Sequence, residues 1–191
     1  MLEKVPSFLG RALREARPGI EQLAFYSPGL SPVPELVRVS SPAFADGGRL
    51  PERFTADGAG ISPPLQWWGV PAGAEAAVLL VEDADSPTPN PLVHAIVSGF
   101  SGRDTEMPEA ALDTHGAIDD SLFLGKNSAL KAGWMPPDPP PGHGPHRYVF
   151  QVYVLNELIH FGHAPGRTEL LEAIHGHVMA KGCLTGIYER D

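Results

Sequence analysis

The sequence predicts a mainly β protein, a β-sandwich carrying helical decoration, and three observations predict it. Glycine and proline each occur 21 times in 191 residues. That is about twice the usual share of proline, and it suits short strands joined by shaped loops better than a helical bundle. Apolar runs of strand length recur along the chain, and one late segment alone carries a convincing helical period. The apolar content of 42% is ordinary for a globular chain and sufficient for one domain with a sizeable core.

Residues 1–17 read as a short amphipathic helix. Pro6 suits a first helical position, Leu2, Val5, Leu9, Ala12 and Leu13 fall roughly on one side, and Pro18-Gly19 stops it. Arg11, Arg14 and Arg17 occupy the other positions. The apolar side is expected to pack on the domain or on a partner subunit, a homodimer being one option, with an anionic membrane surface as the alternative. The proline-rich SPGLSPVPE follows, so the chain divides into an extension over 1–33 and a domain over 34–191.

Within the domain, Leu36-Val37-Arg38-Val39 alternates in part, and Ala76–Val81 and Leu92–Val97 are continuous apolar runs. Tyr148–Leu155 is apolar on both sides, as a strand covered on both faces would be. Turn clusters such as PAGAE and DSPTPNP separate these runs. The late helix has Thr168 to cap it, Leu171, Ile174 and Val178 along one side, and Gly182 to close it. The tail CLTGIYER returns to strand character.

The formal net charge of −9, with no basic stripe, argues against a general nucleic-acid binder. Cys183 is the single cysteine, which excludes an internal disulfide and a cysteine-based zinc site. No stretch approaches the roughly 18 apolar residues of a membrane span, and the N-terminus lacks the continuous apolar core of a signal peptide. A cytoplasmic protein without cofactor or metal is the expectation.

Three segments place polar groups beside strands: Val81-Glu82-Asp83-Ala84-Asp85-Ser86-Pro87, His94 within LVHAIV, and the stretch PPDPPPGHGPHRYVF from Pro136 to Phe150. Each has a plain structural reading. An aspartate pair after a strand is ordinarily a turn former, and a histidine in an apolar strand is ordinarily a satisfied core residue. Asp83, Asp85, His94 and His146 could compose an N/O metal site, but the spacing does not demand one. Alternation would aim Asp83 and Asp85 the same way if the strand ran that far, and it turns Arg147 away from His146 and Tyr148 toward an acidic neighbour.

Taken together and in order, D-x-D-x-P, a histidine in the next strand and PP-x-G-x-G-x-HRY resemble the phosphatidylethanolamine-binding protein family, in its bacterial Raf-kinase-inhibitor-like branch. FADGGRLPERFTADGAGISPPLQWWGVPAGAEAAVLLVEDADSP, NPLVHAIV, GPHRYVFQVYVLN and the terminal GIYER agree with it, over roughly residues 36–191. The resemblance implies an antiparallel β-sandwich with peripheral helices and one small surface anion pocket. Residue by residue it implies Asp83, Asp85, Pro87, His94, His146 and Tyr148 as ligand-binding groups, and a role in modulating a protein partner.

The chemistry is consistent with that. The imidazoles, the Tyr148 hydroxyl and loop amides can serve a phosphate or carboxylate, while Asp83 and Asp85 can orient a histidine or accept from an ammonium, as in a zwitterionic phosphoethanolamine head group. Prolines stiffen the collar around His143 and His146, with His143 expected at the rim, and Ser86-Pro87 is a candidate cis bond. Three departures stand out: D-A-D-S-P in place of D-P-D-A-P, Ala95 in place of an aromatic, and Asp138 where relatives have glycine. Ala95 is expected to widen the pocket and Asp138 to border its mouth. Binding without turnover is the first reading. The alternative is a hydrolase using His94 or His146 with Asp83 as an acid–base pair, for which no activated nucleophile is evident.

Overall fold

The computed structural model describes residues 6–113, 116–117 and 121–190. Leu2 and Val5 of the expected N-terminal helix lie outside the described residues. The elements run α1 (Ser7–Ala12), β1 (Arg38–Ser40), β2 (Gly48–Arg49), β3 (Leu65–Trp68), β4 (Ala76–Asp83), β5 (Leu92–Ser101), β6 (Thr105–Met107), β7 (Leu112–Asp113), β8 (Gly116–Ala117), β9 (Phe123–Leu124), β10 (His146–Leu155), α2 (Arg167–Ile174) and β11 (Val178–Tyr188). The architecture is mainly β. A six-stranded sheet has the order β2-β11-β10-β4-β5-β9, antiparallel except where β2 meets β11, and a three-stranded antiparallel sheet has the order β1-β3-β6.

Strands β4 and β10 are the middle of the large sheet, and their alternation divides the core into two clusters. Ala77, Leu79 and Val81 of β4, with Tyr148, Phe150, Val152 and Val154 of β10, share one cluster with Leu65 and Trp67 of β3 and Met107 of β6. Trp67 meets Phe100 edge-on at 4.9 Å. The opposite faces carry Ala76, Val78 and Leu80, and Val149, Tyr153 and Leu155. Burial on both sides is why these strands read as continuous apolar runs, each large side chain contributing about 1.5–3 kcal/mol of transfer free energy.

What covers the second face is the segment between α1 and β1. Leu23, Ala24, Phe25 and Leu30 join Leu170 and Ile174 of α2 in that second cluster. Three buried polar side chains pin the segment down. Glu82 accepts from the Ala24 N–H at 2.9 Å, Gln151 Oε1 accepts from the Phe25 N–H at 2.9 Å, and Lys181 Nζ donates to the carbonyls of Phe25 at 2.8 Å and Leu30 at 3.0 Å. The Lys181 ammonium also lies 3.9 Å from the centre of the Phe25 ring, a cation–π contact. Cys183 packs against this cluster, and burial pushes its thiol up to about 11, out of the reactive range.

The late helix is shorter than its period suggests. It stops at Ile174 and has no side-chain cap, while Val178 and Gly182 belong to the eleven-residue β11. Pairing with β10 from Tyr188 back to Val178 outweighs local helical preference there. At the other end, α1 spans six residues; Gly10 faces the main chain of Pro141, while Phe8, Leu9 and Leu13 remain exposed.

Candidate functional site

The D-A-D-S-P loop, the start of β5 and the collar before β10 meet at one end of the large sheet. Asp83 is the last residue of β4 and stands opposite Tyr148 of β10 and Leu92 of β5. His94 owes its direction to a β-bulge. Val81 pairs with Ala95 and Glu82 with Val93, so His94 is the extra residue of β5. Neighbours His94 and Ala95 therefore both lie on the side of the first cluster, which simple alternation forbids. Ala95 packs in the core at 0% exposure and does not line the cavity, so it does not act there to widen the pocket.

A cavity of about 400 Å³ opens at this point. Its floor is Asp83, His94 and His146; Ser86 and Pro87 form one wall, Trp134, Met135 and Pro136 another, and Lys131 and Asp138 stand among its lining groups. Asp138 does border it, but its carboxylate is ion-paired with Arg190, which also holds Asp57.

Asp83 is the organising group. One oxygen accepts the Asp85 N–H at 2.8 Å and closes the turn; the other meets His146 Nδ1 at 2.8 Å. His146 Nε2 in turn meets His143 Nδ1 at 2.8 Å, and His143 Nε2 meets the Leu13 carbonyl at 2.9 Å. His143 is fully buried behind His146, not at the rim. Both nitrogens of His146 are thus held by the protein. The turn needs no cis proline, because the side-chain and backbone hydrogen bonds reverse the chain already; no cis bond occurs among the described residues, and Ser86-Pro87 is trans.

Asp85 and Tyr148 are not brought to the cavity lining. The strand ends at Asp83, and the turn swings Asp85 away to Arg147, which donates to it through its backbone N–H at 2.9 Å and its guanidinium at 2.7 Å, while Arg17 stands 3.1 Å away. Burial alone would raise the Asp85 carboxyl, but the hydrogen bonds from Arg147 outweigh it and hold it below the usual range. Tyr148 is buried between His94, edge-on at 5.0 Å, and His146, stacked at 6.2 Å. Burial, with Asp83 adding, holds its hydroxyl protonated well above the ordinary tyrosine value.

His94 is the group with capacity to spare. Its Nδ1 lies 2.6 Å from the Met135 carbonyl, which can only accept, so Nδ1 carries the hydrogen and Nε2 a lone pair. Burial pushes this ring toward the neutral form. Among the described residues, three buried side-chain polar atoms have no partner, and two of them, His94 Nε2 and Trp134 Nε1, belong to residues lining this cavity.

The family model described as phosphatidylethanolamine-binding protein matches residues 40–189. The chain belongs to the phosphatidylethanolamine-binding protein family. A UPF0098 protein of Methanothermobacter thermautotrophicus is 36% identical over 148 residues, covering 78% of this chain and 95% of its own. The crystal structure of the family homologue CT736 from Chlamydia trachomatis is similar with a TM-score of 0.74 and 34% identity, covering 82% of this chain and 99% of that one. Escherichia coli YbcL, described as a member of the mammalian family, gives 0.76 and 26% over the same shares. No helix among the described residues is long and apolar enough to cross a membrane.

His143, Trp134, Lys131 and Asn127 are the groups here that sequence reasoning did not place in the site. The spacing of His143 and His146 within GHGPH was the available signal for the first. Asn127 shapes the wall: its Oδ1 accepts from the N–H of Ala129 at 2.9 Å and of Lys131 at 3.2 Å, and its amide donates to Gly133.

Proposed function

We propose that this protein binds, without turning it over, a small ligand bearing a phosphate or carboxylate group in the cavity between Asp83, His94 and the collar. The observation that carries this is the buried His94 Nε2, left without a partner at a cavity of about 400 Å³, a volume suited to a head-group-sized molecule. A buried polar atom without a partner costs about 1–3 kcal/mol, and a ligand that satisfies it recovers that cost. Because Nε2 is an acceptor in the neutral ring, an anion binds there only with a proton between. Either the ligand brings an acidic hydrogen, as a monoprotonated phosphate ester does, or the ring takes one up. Lys131 supplies positive charge at the wall, and Asp83 or Asp138 can face an ammonium, so a zwitterionic phosphoethanolamine matches the lining.

Turnover finds little support in the geometry. His146 has both nitrogens engaged, and the Thr88 hydroxyl, which donates to the Asn90 carbonyl, receives the Ser86 hydroxyl at 2.7 Å. The hydrolase alternative would need His146 released from His143. A cytoplasmic location and modulation of a protein partner belong to the same proposal and are checked by cell fractionation and co-purification.

Calorimetric titration of phosphoethanolamine, inorganic phosphate and acetate into wild type and His94→Phe tests the reading. Saturable binding by wild type, weakened at least about tenfold in the variant, is expected. Equal affinity in both would remove the cavity as the site.

A further inference from the structure

The family match begins at residue 40, yet the cavity is buttressed by residues that precede it. Leu13 supplies the carbonyl that ends the chain of contacts running from Asp83 through His146 and His143. Arg17 donates to the His143 carbonyl at 2.7 Å, to the Pro145 carbonyl at 2.7 Å and, through Nε, to the Arg14 carbonyl at 2.8 Å. The Gly19 N–H donates to the Ala84 carbonyl at 3.0 Å, beside the D-A-D-S-P turn. The collar is shaped to receive this strap. Gly142 has φ +76°, and a Cβ there would lie 2.7 Å from the Ser7 carbonyl oxygen.

The hydrogens along that chain can be counted. A carbonyl only accepts, so His143 Nε2 carries a hydrogen toward Leu13. Three links need three hydrogens, and two neutral imidazoles bring two. With Asp83 ionised, the pair therefore shares one extra proton while all three links are closed. Burial, then the neighbouring His146 and Arg17, pushes His143 toward its neutral form, and the extra proton is shared along the links that end on the Asp83 carboxylate. When the strap lifts, water replaces Leu13 and can donate as well as accept, so the third hydrogen is no longer required.

We propose that the strap over residues 6–19 is a positioning element of the ligand pocket, holding the His146 ring through His143, and that its docking takes up one proton. The charged and titratable groups around this relay are Asp83 at the end of β4 and Asp85 after it, His94 on β5, Arg147 and Tyr148 on β10, Asp138 on the collar, and Arg14 and Arg17 on the strap. Asp85 is already held by Arg147, so strap docking leaves its charge compensated either way. The consequence for the pocket is a neutral floor: an Asp83 carboxylate paired with an imidazolium repels an anionic ligand far less than the carboxylate alone would. This consequence rests on the proposed ligand class; the docking itself does not.

The test uses the full chain as wild type, Arg17→Met, Arg17→Lys and His143→Phe, each checked for a cooperative melt. Nitrogen NMR of the histidine rings reads the hydrogens, amide exchange reads the strap, and calorimetry with inorganic phosphate reads the pocket. Wild type at neutral pH is expected to show three ring hydrogens on the His143–His146 pair. Its strap amides should exchange faster as pH rises, beyond the intrinsic base catalysis, and this excess should vanish in His143→Phe. Arg17→Met is expected to speed strap exchange and weaken phosphate by about tenfold each, with Arg17→Lys partly restoring both. Two ring hydrogens with the strap docked, or strap exchange in Arg17→Met equal to wild type, would overturn the proposal. Failure of wild type to bind phosphate would instead count against the ligand reading, since the ring and exchange measurements decide the strap without it.

Discussion

Replacing Glu82 with glutamine asks whether residues 20–33 are held by the fold or merely lie on it. Glu82 is fully buried, and every partner it has is a donor: the Ala24 N–H at 2.9 Å, Gln151 Nε2 at 2.8 Å and Arg167 Nε at 2.6 Å. Glutamine keeps the shape but offers one acceptor oxygen, and its NH₂ must then face at least one of those donors. The loss is one charge-assisted hydrogen bond, about 1.5–3 kcal/mol, plus about 1–3 kcal/mol for a buried donor left unpaired. Arg167 is partly exposed and can turn to water, which favours the lower end of the second contribution, so about 2.5–4 kcal/mol is expected in total. Urea denaturation should show this as a lowered midpoint with an unchanged slope, and thermal melting as a fall of roughly 5–10 °C. A change within about 0.5 kcal/mol, the range of ordinary surface substitutions, would refute the reasoning.

The other expectations concern the cavity and the strap. His94→Phe removes the unpartnered Nε2 and should leave stability within about 1 kcal/mol of wild type while weakening ligand binding at least about tenfold, as chemical denaturation and calorimetry would show. The His94 ring is held neutral, below its ordinary value of 6.5, so the unfolded chain binds a proton there that the native chain does not. Wild type should therefore lose stability relative to His94→Phe as pH falls below 6.5, by at most about 1.4 kcal/mol per pH unit, and parallel pH profiles would contradict this. Gly142→Ala forces a side chain into a left-handed turn against Ser7, and should detach the strap and expose the bond after Arg14 to limited trypsin cleavage; an unchanged digestion pattern would count against it.

The strands were legible because burial leaves a mark on composition: β4 and β10 are covered on both faces and so read as unbroken apolar runs. The D-x-D-x-P and HRY segments were legible as an ordered set, and Arg147 was correctly turned toward an acidic neighbour by alternation alone. What could not be read depends on partners distant in sequence. Arg17 meets His143 and Pro145 at separations of 126 and 128 residues, and nothing in the local helical pattern of the strap encodes them. The bulge that aims His94 is a property of how β5 pairs with β4, not of LVHAIV. Val178 satisfied a helical period and Gly182 a helix-closing position, yet the long ladder to β10 fixed them as strand. Asp85 left the expected side because the turn after Asp83 begins one residue too early for alternation to hold.

The most direct measurement is a crystal structure of the protein soaked with arsenate, a phosphate analogue whose anomalous scattering marks its own position. A peak inside the cavity, with one arsenate oxygen within hydrogen-bond reach of His94 Nε2 and the His146–Asp83 contact intact, is the expected result. A peak elsewhere on the surface, or an empty cavity at saturating arsenate, would contradict the assignment of this site.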